Sequence, residues 1–278
     1  MSNNPLSNFF RQPAVHLKLP SNGKFWKEDS LDLPVTNEIP VYPMTTRDEI
    51  TLRTPDALLN GSGVVELIHS CCPNILDAWG APSIDIDAII IAIRIASYGN
   101  IMDFDNRCPF CKEENTHQID LTAILDNINS PDYQTPLKYK NLTFKLKPQH
   151  YFSVNSANKY HFEEQQLFKN IDSVEDEQEK LKIYAEQLQR ITDMTIQLVA
   201  DSTEYILTPD GIKVVDPEFI KEYYERSETA IVNLIRDKLN ELAKQAEIAR
   251  PTVICSSCEK EYEVTLTFDY ASFFGKGF

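Results

Sequence analysis

The sequence of 278 residues has none of the short motifs that mark common catalytic sites. It contains no phosphate-binding loop, no glycine-rich dinucleotide turn, no nucleophile elbow and no H-E-x-x-H pair. Its five histidines are scattered along the chain, and we find no catalytic candidate among them. We therefore predict that the protein is not an enzyme and takes no small-molecule substrate.

Long apolar segments and a surplus of basic residues are also lacking. The longest purely apolar run is Ala88 to Ile93, far too short to cross a bilayer. Acidic residues outnumber basic ones by 42 to 27, which gives a formal net charge of −15. Such a surface repels the phosphates of nucleic acids and of anionic membranes, so we expect neither as a partner.

The beginning of the chain has neither the basic nor the apolar region of a secretory signal. We therefore expect the protein to be made in a reducing compartment. There, its six cysteines are better interpreted as metal ligands and buried thiols than as disulfides.

Two C-x-x-C pairs are the strongest chemical signal in the sequence. Cys108-Pro109-Phe110-Cys111 precedes a strand-like run at 116–121, and Cys255-Ser256-Ser257-Cys258 precedes another at 261–268. Four thiolates are the ligand set of a closed, tetrahedral structural Zn²⁺ site, and they leave no open position for water or substrate. The spacing therefore predicts a zinc ribbon whose ligands are Cys108, Cys111, Cys255 and Cys258. The alternative is two unrelated reduced cysteine pairs.

The two pairs are far apart in the sequence, since 143 residues lie between Cys111 and Cys255. Closing a flexible loop of that length costs roughly 4–5 kcal/mol. Structural zinc contributes on the order of 10–16 kcal/mol in small metal-folded domains. A metal could therefore join the two ends while a separate domain lies between them.

Other candidate sites have simpler structural interpretations. His69, Cys71 and Cys72 are close enough in sequence to suggest a second metal, but a hydrogen-bonded histidine beside two buried thiols explains them. His117 could replace a thiolate, although the four cysteines already complete the set. The acidic run from 172 to 179 fits the solvated start of a helix better than a cation site.

Periodicity and turn signals predict an α+β fold. The segment Ile86 to Tyr98 is assigned to a buried helix because alanine recurs every four residues, with Gly99 as its stop. Thr46 and Glu49 fit a helical capping box, and Gly23 fits a turn that needs a positive φ. Further strands are predicted at 15–19, 31–33 and 39–42, with hairpins at 137–147 and 205–215. Further helices are predicted at 55–60, 64–71, from 216 onward and at 228–249.

A long helix capped by Ser173 carries a stripe of residues spaced three and four apart. Its members are Leu181, Tyr184, Leu188, Ile191, Thr195 and Leu198. Two uses of this stripe fit the spacing: an antiparallel helix pair that buries it within the chain, and a coiled-coil seam that faces a partner.

These elements predict three regions. Residues 1–155 form a region of short strands and helices with the first half of the zinc ribbon. Residues 156–250 form a long helical insertion with a small hairpin. Residues 251–278 supply the second half of the ribbon and an aromatic C-terminal tail.

Aromatic residues in the two tails suggest contacts with a partner. Phe9 and Phe10 lie in a polar segment, and Phe273, Phe274 and Phe278 lie in a segment spaced by glycine. Exposed aromatics of this kind usually mark a protein interface. The alternative is that they fold back onto the core of their own chain.

Several blocks together resemble a known family, the T4-type baseplate hub proteins of contractile-tailed bacteriophages. The resemblance covers roughly residues 15–125 and 252–270. The blocks are Leu19-Pro20-Ser21-Asn22-Gly23, residues 42–49 from Tyr42 to Glu49, residues 54–61 from Thr54 to Gly61, Ser97-Tyr98-Gly99-Asn100 and the first C-x-x-C pair. The helical insertion departs from the compact ribbon that the family would suggest.

The resemblance implies a structural role in the tail baseplate of a phage, in contact with other baseplate and tail proteins and without catalysis. The protein would lie in the host cytoplasm during assembly and in the virion afterwards. Two alternatives remain open: an assembly chaperone that is absent from the finished particle, and a zinc-ribbon module that binds nucleic acid.

Overall fold

The computed structural model describes residues 5–54, 61–171, 176–248, 250–264 and 273–274. Its fold is α+β, as predicted. The helices are α1 (Thr46–Leu52), α2 (Ser62–Cys71), α3 (Ser83–Tyr98), α4 (Leu121–Asp126), α5 (Tyr151–Ile171), α6 (Glu177–Asp201), α7 (Pro217–Arg226) and α8 (Thr229–Ala246). The strands are β1 (Val15–Leu17), β2 (Ile39–Val41), β3 (Ile101–Arg107), β4 (Glu114–Asp120), β5 (Leu137–Tyr139), β6 (Leu142–Leu146), β7 (Thr203–Leu207), β8 (Lys213–Val214), β9 (Thr252–Ile254) and β10 (Glu261–Glu263).

The chain divides into two compact units. The first comprises Met1–Ala78, Ile84–Ser130 and Ala246–Phe278, and the second comprises Trp79–Ser83 and Pro131–Gln245. The two ends of the second unit lie side by side, because the Asp132 backbone N–H donates to Gln245 Oε1 at 3.4 Å. Because its two ends are close together, the second unit can be inserted in the sequence of the first without forcing apart the segments of the first unit that flank it.

The core of the first unit is built around α3. Residues 88 to 93 of this helix are all buried, which explains why the segment is apolar on every side rather than along one stripe. Buried side chains of α2 and of the β1–β2 pair complete this core; they are Val64, Leu67, Ile68, Leu17, Ile39 and Val41. The predicted helix is confirmed, and Gly99 follows it with a φ of +87°.

Some predicted elements of the first unit are shorter or shifted. The strand predicted at 31–33 is reduced to a single bridge between Leu31 and Ile75. The capping box of α1 is formed by Thr45 and Asp48, one residue before the predicted pair. Gly23 has the positive φ that was expected, and a Cβ there would lie only 2.6 Å from Leu33 Cδ2. The helix predicted at 55–60 lies outside the described residues.

A buried carboxylate fixes the loop between β1 and β2. Asp85, in the first turn of α3, is fully buried and accepts hydrogen bonds from the backbone N–H of Ser21 at 2.8 Å, from Ser21 Oγ at 2.5 Å and from Trp26 Nε1 at 2.8 Å. Burial raises the pKa of Asp85 to about 6, although the bonds from Ser21 and Trp26 oppose that shift.

The second unit contains an antiparallel sheet in the order β5-β6-β7-β8. The two predicted hairpins are therefore parts of one sheet, since β6 pairs with β7 from Thr143 opposite Leu207 to Leu146 opposite Thr203. Phe144 on β6 stacks on Tyr224 of α7, with ring centroids 6.4 Å apart. The Tyr224 hydroxyl lies 2.8 Å from Thr203 Oγ1, so its polar group is satisfied within the core.

The long helices differ in how they use their apolar residues. Helix α8 buries Ile231, Ile235 and Leu242. Helix α6 starts at Glu177 with Asp176 as its N-cap, and the predicted cap, Ser173, lies outside the described residues. Over the first half of α6 the apolar stripe is exposed rather than packed against a neighbouring helix, with Leu181 69% and Leu188 65% accessible.

The aromatic tails behave differently from one another. Phe9 is 83% and Phe10 57% exposed, as a partner contact requires. Phe273 and Phe274 are only 6% exposed, and Arg94 Nε donates to the Phe273 carbonyl at 3.0 Å. The expectation of an exposed pair at 273–274 is therefore wrong, because these rings fold back into the first unit. Phe278 lies outside the described residues.

The buried Asp85 carboxyl generates a prediction about pH. Its folded-state pKa of about 6 lies above the unfolded value of 3.8, so the folded state holds this proton more tightly. The resulting stabilisation is present below pH 4 and is lost as the pH rises through 6, by about 3 kcal/mol in total. Asp85→Asn should remove this contribution, and the free energy of unfolding of the variant should fall less between pH 4 and pH 6.5.

The same variant places an amide N–H₂ opposite one or two donors, so we also expect it to be less stable than the wild type by about 1–3 kcal/mol at pH 4. Urea unfolding at a series of pH values measures both effects. Asp126→Asn, which removes an exposed carboxyl from α4 of the same unit, is the control. Identical pH slopes for the wild type and Asp85→Asn would contradict the prediction.

Candidate metal centre

The two C-x-x-C pairs occupy the turns of two hairpins with the same design. In the first, Arg107 of β3 pairs with Glu114 of β4, and in the second, Ile254 of β9 pairs with Glu261 of β10. Six residues connect the strands in each hairpin, from 108 to 113 and from 255 to 260. The sequence suggested the strands that follow the cysteine pairs, and the structure adds a strand before each of them.

The backbone of the two turns also matches bond for bond. Cys108 N–H donates to the Glu113 carbonyl at 2.9 Å and Cys255 N–H to the Lys260 carbonyl at 3.0 Å. The residue after each second cysteine, Lys112 or Glu259, has a positive φ and donates its N–H to the carbonyl of the first cysteine at 3.0 Å. This left-handed residue folds each C-x-x-C pair so that both sulfurs lie on the same side of the turn.

The structure brings the four predicted ligands together from opposite ends of the chain. All four Sγ atoms lie within 4.8 Å of one another. The Sγ atoms of Cys108 and Cys258 are 3.7 Å apart, and those of Cys111 and Cys255 are 3.5 Å apart. Four sulfurs at about 2.3 Å from a central zinc would be about 3.8 Å from each other. The cluster is therefore close enough to hold a metal ion, and the donor set fits Zn²⁺.

Backbone amides favour the thiolate form at the first cysteine of each turn. The N–H groups of Cys258 and Ser257 lower the pKa of Cys255 to about 6. Burial alone would raise the pKa of Cys108, but the N–H groups of Cys111 and Phe110 outweigh it, and the pKa is lowered. A thiolate is the form that ligates a metal, so each turn prepares its first cysteine for that role. At Cys111 the Glu113 N–H lowers the pKa, but burial and hydrogen bonds with the other three thiols outweigh it and raise the pKa to about 12.

A buried amide joins the two hairpins beside the sulfurs. Asn115 on β4 is 5% exposed, and its Oδ1 accepts from the backbone N–H of Ser256 at 2.9 Å and from Ser256 Oγ at 2.7 Å. Its Nδ2 donates to the Glu113 carbonyl at 3.0 Å. Asn115 therefore links the first hairpin to the turn of the second through two bonds, and the third fixes it to the turn of its own hairpin.

Tyr262 makes a second connection between the two hairpins. Its hydroxyl donates to Asn106 Oδ1 of β3 at 2.6 Å and lies 3.3 Å from His117 Nε2 on β4. Its ring is buried with Cys108, Cys255 and Val264. His117 is thus engaged with Tyr262, which agrees with its interpretation as a structural residue and not a metal ligand.

The outer surface of the cluster is acidic. The two turns and the first residue of each following strand, 108–114 and 255–261, contain four glutamates and two lysines. Lys260 lies over the ring of Phe110, 4.7 Å from its centroid, so one of the two lysines is already engaged across the turns. This charge balance opposes the binding of a phosphate backbone.

The other candidate metal ligands have ordinary roles. His69 Nε2 accepts the backbone N–H of Ala78 at 3.0 Å, and burial raises the pKa of Cys71 to about 12 and that of Cys72 further still. Within the described parts of the chain, the four turn cysteines form the one cluster that could hold a metal. Part of the acidic run, residues 172–175, lies outside the described residues.

Sequence reasoning missed Asn115 and Tyr262, which support the cluster without ligating a metal. Asn115 is the second residue of β4, and Tyr262 is the middle residue of β10. Both face inward on strands whose other side is exposed. The alternation Glu261-Tyr262-Glu263 was a usable signal for Tyr262, because one large side chain between two glutamates indicates a half-buried strand.

Comparison with known proteins gives a single positive result. A family model described as "T4 bacteriophage base plate protein" matches residues 12–275 of the chain. No curated protein and no solved structure matches. Among the described residues, no helix combines the length and hydropathy needed to cross a bilayer.

The position of Asn115 leads to a second prediction. Asn115→Ala removes the acceptor for Ser256 and should lower the free energy of unfolding by about 1–2 kcal/mol. Gln118→Ala is the matched control: it removes an amide from the same strand whose side chain bonds only to Asp103 within the first hairpin, at an exposed position. Thermal and urea unfolding measure the difference. Equal stability of the two variants would show that the bridge to Ser256 does not hold the hairpins together.

Proposed function

This chain belongs to the T4 bacteriophage base plate protein family, and from that membership we propose that it is a structural component of the hub region of a phage tail baseplate. It acts through protein–protein contacts in tail assembly and has no catalytic role. The observation that carries this proposal is the match of the family model to nearly the whole chain, including both cysteine turns. We place the protein in the host cytoplasm during assembly and in the tail of the virion afterwards.

The four cysteines serve this role as a structural zinc site of the ribbon type. Cys108, Cys111, Cys255 and Cys258 would hold the ion, which supplies a cross-link between two hairpins rather than a reactive centre. Sulfur distances of 3.5 and 3.7 Å and the two matched turns support this assignment. Since four protein ligands close the coordination sphere, the site suits a structural protein.

The N-terminal segment offers a contact for another baseplate or tail protein. Phe9 and Phe10 are exposed, and the next residue, Arg11, is tied down by bonds from its guanidinium to the carbonyls of Pro43 and Ser70, both at 2.6 Å. The Arg11 side chain also lies 3.7 Å from the Asp48 carboxylate. The aromatic pair is thereby presented from a fixed point, which reduces the entropy lost when a partner binds.

The metal assignment is tested by composition and stability. We expect one zinc per chain in the purified protein, and its loss from Cys255→Ser, with a decrease in stability of about 4 kcal/mol or more. For a chain of this size that corresponds to a fall in Tm of roughly 10 °C. Cys72→Ala is the control, since it removes a buried thiol outside the cluster and should retain the zinc.

Elemental analysis and thermal unfolding, with and without a chelator at neutral pH, provide the readouts. A wild-type protein that contains no metal, or one whose Tm is unchanged by a chelator that removes it, contradicts the structural zinc site. Retention of zinc by Cys255→Ser would contradict the ligand set.

The partner surface is tested by separating folding from assembly. Phe9→Ala with Phe10→Ala should leave the Tm within about 1 °C because both side chains are exposed, but should reduce incorporation into baseplates. Phe273→Ala should instead lower the stability by about 3 kcal/mol or more, because its ring is buried. Quantitative mass spectrometry of purified particles from complementation experiments measures incorporation.

The same measurement distinguishes the hub component from an assembly chaperone. A structural component is present in the finished particle in fixed stoichiometry, whereas a chaperone is required for assembly but absent from the particle.

Normal incorporation of the Phe9/Phe10 double variant would contradict the contact assigned to the N-terminal segment.

A further inference from the structure

The distal halves of α5 and α6 contain almost no buried side chains. Among residues 152–165 and 176–198, Gln187 alone is buried. Isolated helices of this length are marginal in water, and helices in proteins are stabilised mainly by burying an apolar face. This helical pair therefore lacks most of the burial that stabilises comparable helices.

The direct contact between α5 and α6 at this level is polar. The Tyr160 hydroxyl of α5 donates to Gln187 Oε1 of α6 at 3.0 Å, and the Arg190 guanidinium lies over the Tyr160 ring, 5.4 Å from its centroid. At 100° per residue, Gln187 lies about a quarter turn around α6 from the centre of the apolar stripe. Leu181 and Leu188 are consequently on a different side of α6 from the contact with Tyr160, whereas Ile191, four residues after Gln187, borders that contact.

The exposed stripe has the spacing of a coiled-coil seam. Leu181, Tyr184, Leu188 and Ile191 follow one another at intervals of three, four and three residues, which is the a/d pattern of a heptad repeat. Leu181 is 69%, Tyr184 41% and Leu188 65% exposed, whereas Ile191 is half-buried. A face with this periodicity fits a second helix.

Charge along α6 identifies which helix fits best. The positions beside the seam are Lys180, Ala185, Gln187 and Thr192, of which Lys180 alone is charged. Charges at these positions normally select a partner of opposite charge, so a single lysine gives a charged partner helix little to pair with. Residues 177–190 hold three acidic and three basic side chains, although the whole chain has a net charge of −15. An identical helix can therefore approach this segment without the repulsion expected elsewhere on the surface.

We propose that the first half of α6 is a self-association surface, on which two copies of this chain pair their α6 helices in antiparallel orientation. In that arrangement Leu181 of one copy packs against Ile191 of the other, and Tyr184 packs against Leu188. The pairing is two-fold symmetric, so both copies use the same surface and each contact occurs twice in one closed interface. This inference does not depend on the hub assignment, since it concerns only the seam.

The test compares the mass of the full-length, metal-containing protein with that of two double variants by analytical ultracentrifugation over a range of concentrations. The wild type should shift with concentration from 31.8 kDa towards twice that mass. Leu181→Glu with Leu188→Glu should remain a monomer at concentrations where the wild type is a dimer. Both side chains are largely exposed, so circular dichroism and metal content should be unchanged.

Lys182→Gln with Gln189→Glu is the matched control. It changes the net charge by the same −2 at two exposed positions, also seven residues apart, on the opposite side of α6. This control should dimerise like the wild type. A wild type that stays monomeric at all concentrations, or a dimer that survives Leu181→Glu with Leu188→Glu, overturns the proposal.

The antiparallel orientation of the two α6 helices is tested by introducing single cysteines and treating the protein with a short bismaleimide cross-linker. The wild type receives the same treatment, because its native cysteines set the background of cross-linking. In an antiparallel pair Ala185→Cys lies beside its counterpart and cross-links, whereas two copies of Gln178→Cys are separated by about 24 Å along the helices and do not. Cross-linking of both variants would indicate a parallel pair and would overturn the antiparallel arrangement.

Discussion

Four sulfur atoms, two from the middle of the sequence and two from near its end, meet within 4.8 Å in the first unit. The hairpins that supply them are too small to be stable alone, because β9 and β10 have three residues each and their shared core contains few large side chains. Their stability therefore depends on what joins them: the sulfur cluster, the bridge from Asn115 to Ser256 and the packing of Tyr262. This junction, together with the burial of Phe273 and Phe274, holds the late segment of the first unit to its early part.

This junction also explains how a second unit can be inserted. Its ends lie side by side at Asp132 and Gln245, so the chain leaves the first unit and returns at neighbouring points. The entropy of closing so long a connection is largely offset when the inserted segment is itself folded, since a folded segment fixes the distance between its ends. The four cysteines then need to join two hairpins whose positions the fold has already restricted.

Much of this architecture could be predicted from local patterns, and the failures have a common cause. Helix α3 and the cysteine turns were predicted because an apolar run and a C-x-x-C spacing are local signals. The pairing of β6 with β7 was missed because it joins residues about 60 positions apart, and neither strand encodes its partner. Burial of Phe273 and Phe274 was missed for the same reason: the acceptor at Phe273 meets Arg94 from α3, 179 residues earlier.

Two of the exposed apolar groups, the Phe9–Phe10 pair and the α6 seam, share one structural feature. Behind Phe9 and Phe10, Arg11 bonds to the carbonyls of Pro43 and Ser70, and beside the α6 seam, Gln187 bonds to Tyr160. In both places polar bonds orient a backbone segment while the apolar side chains point away from the core. Such bonds cost little to maintain in a monomer and hold the apolar groups ready for a partner. Exposure combined with this anchoring is a better indication of an interface than aromatic composition, which did not separate Phe9 from Phe273.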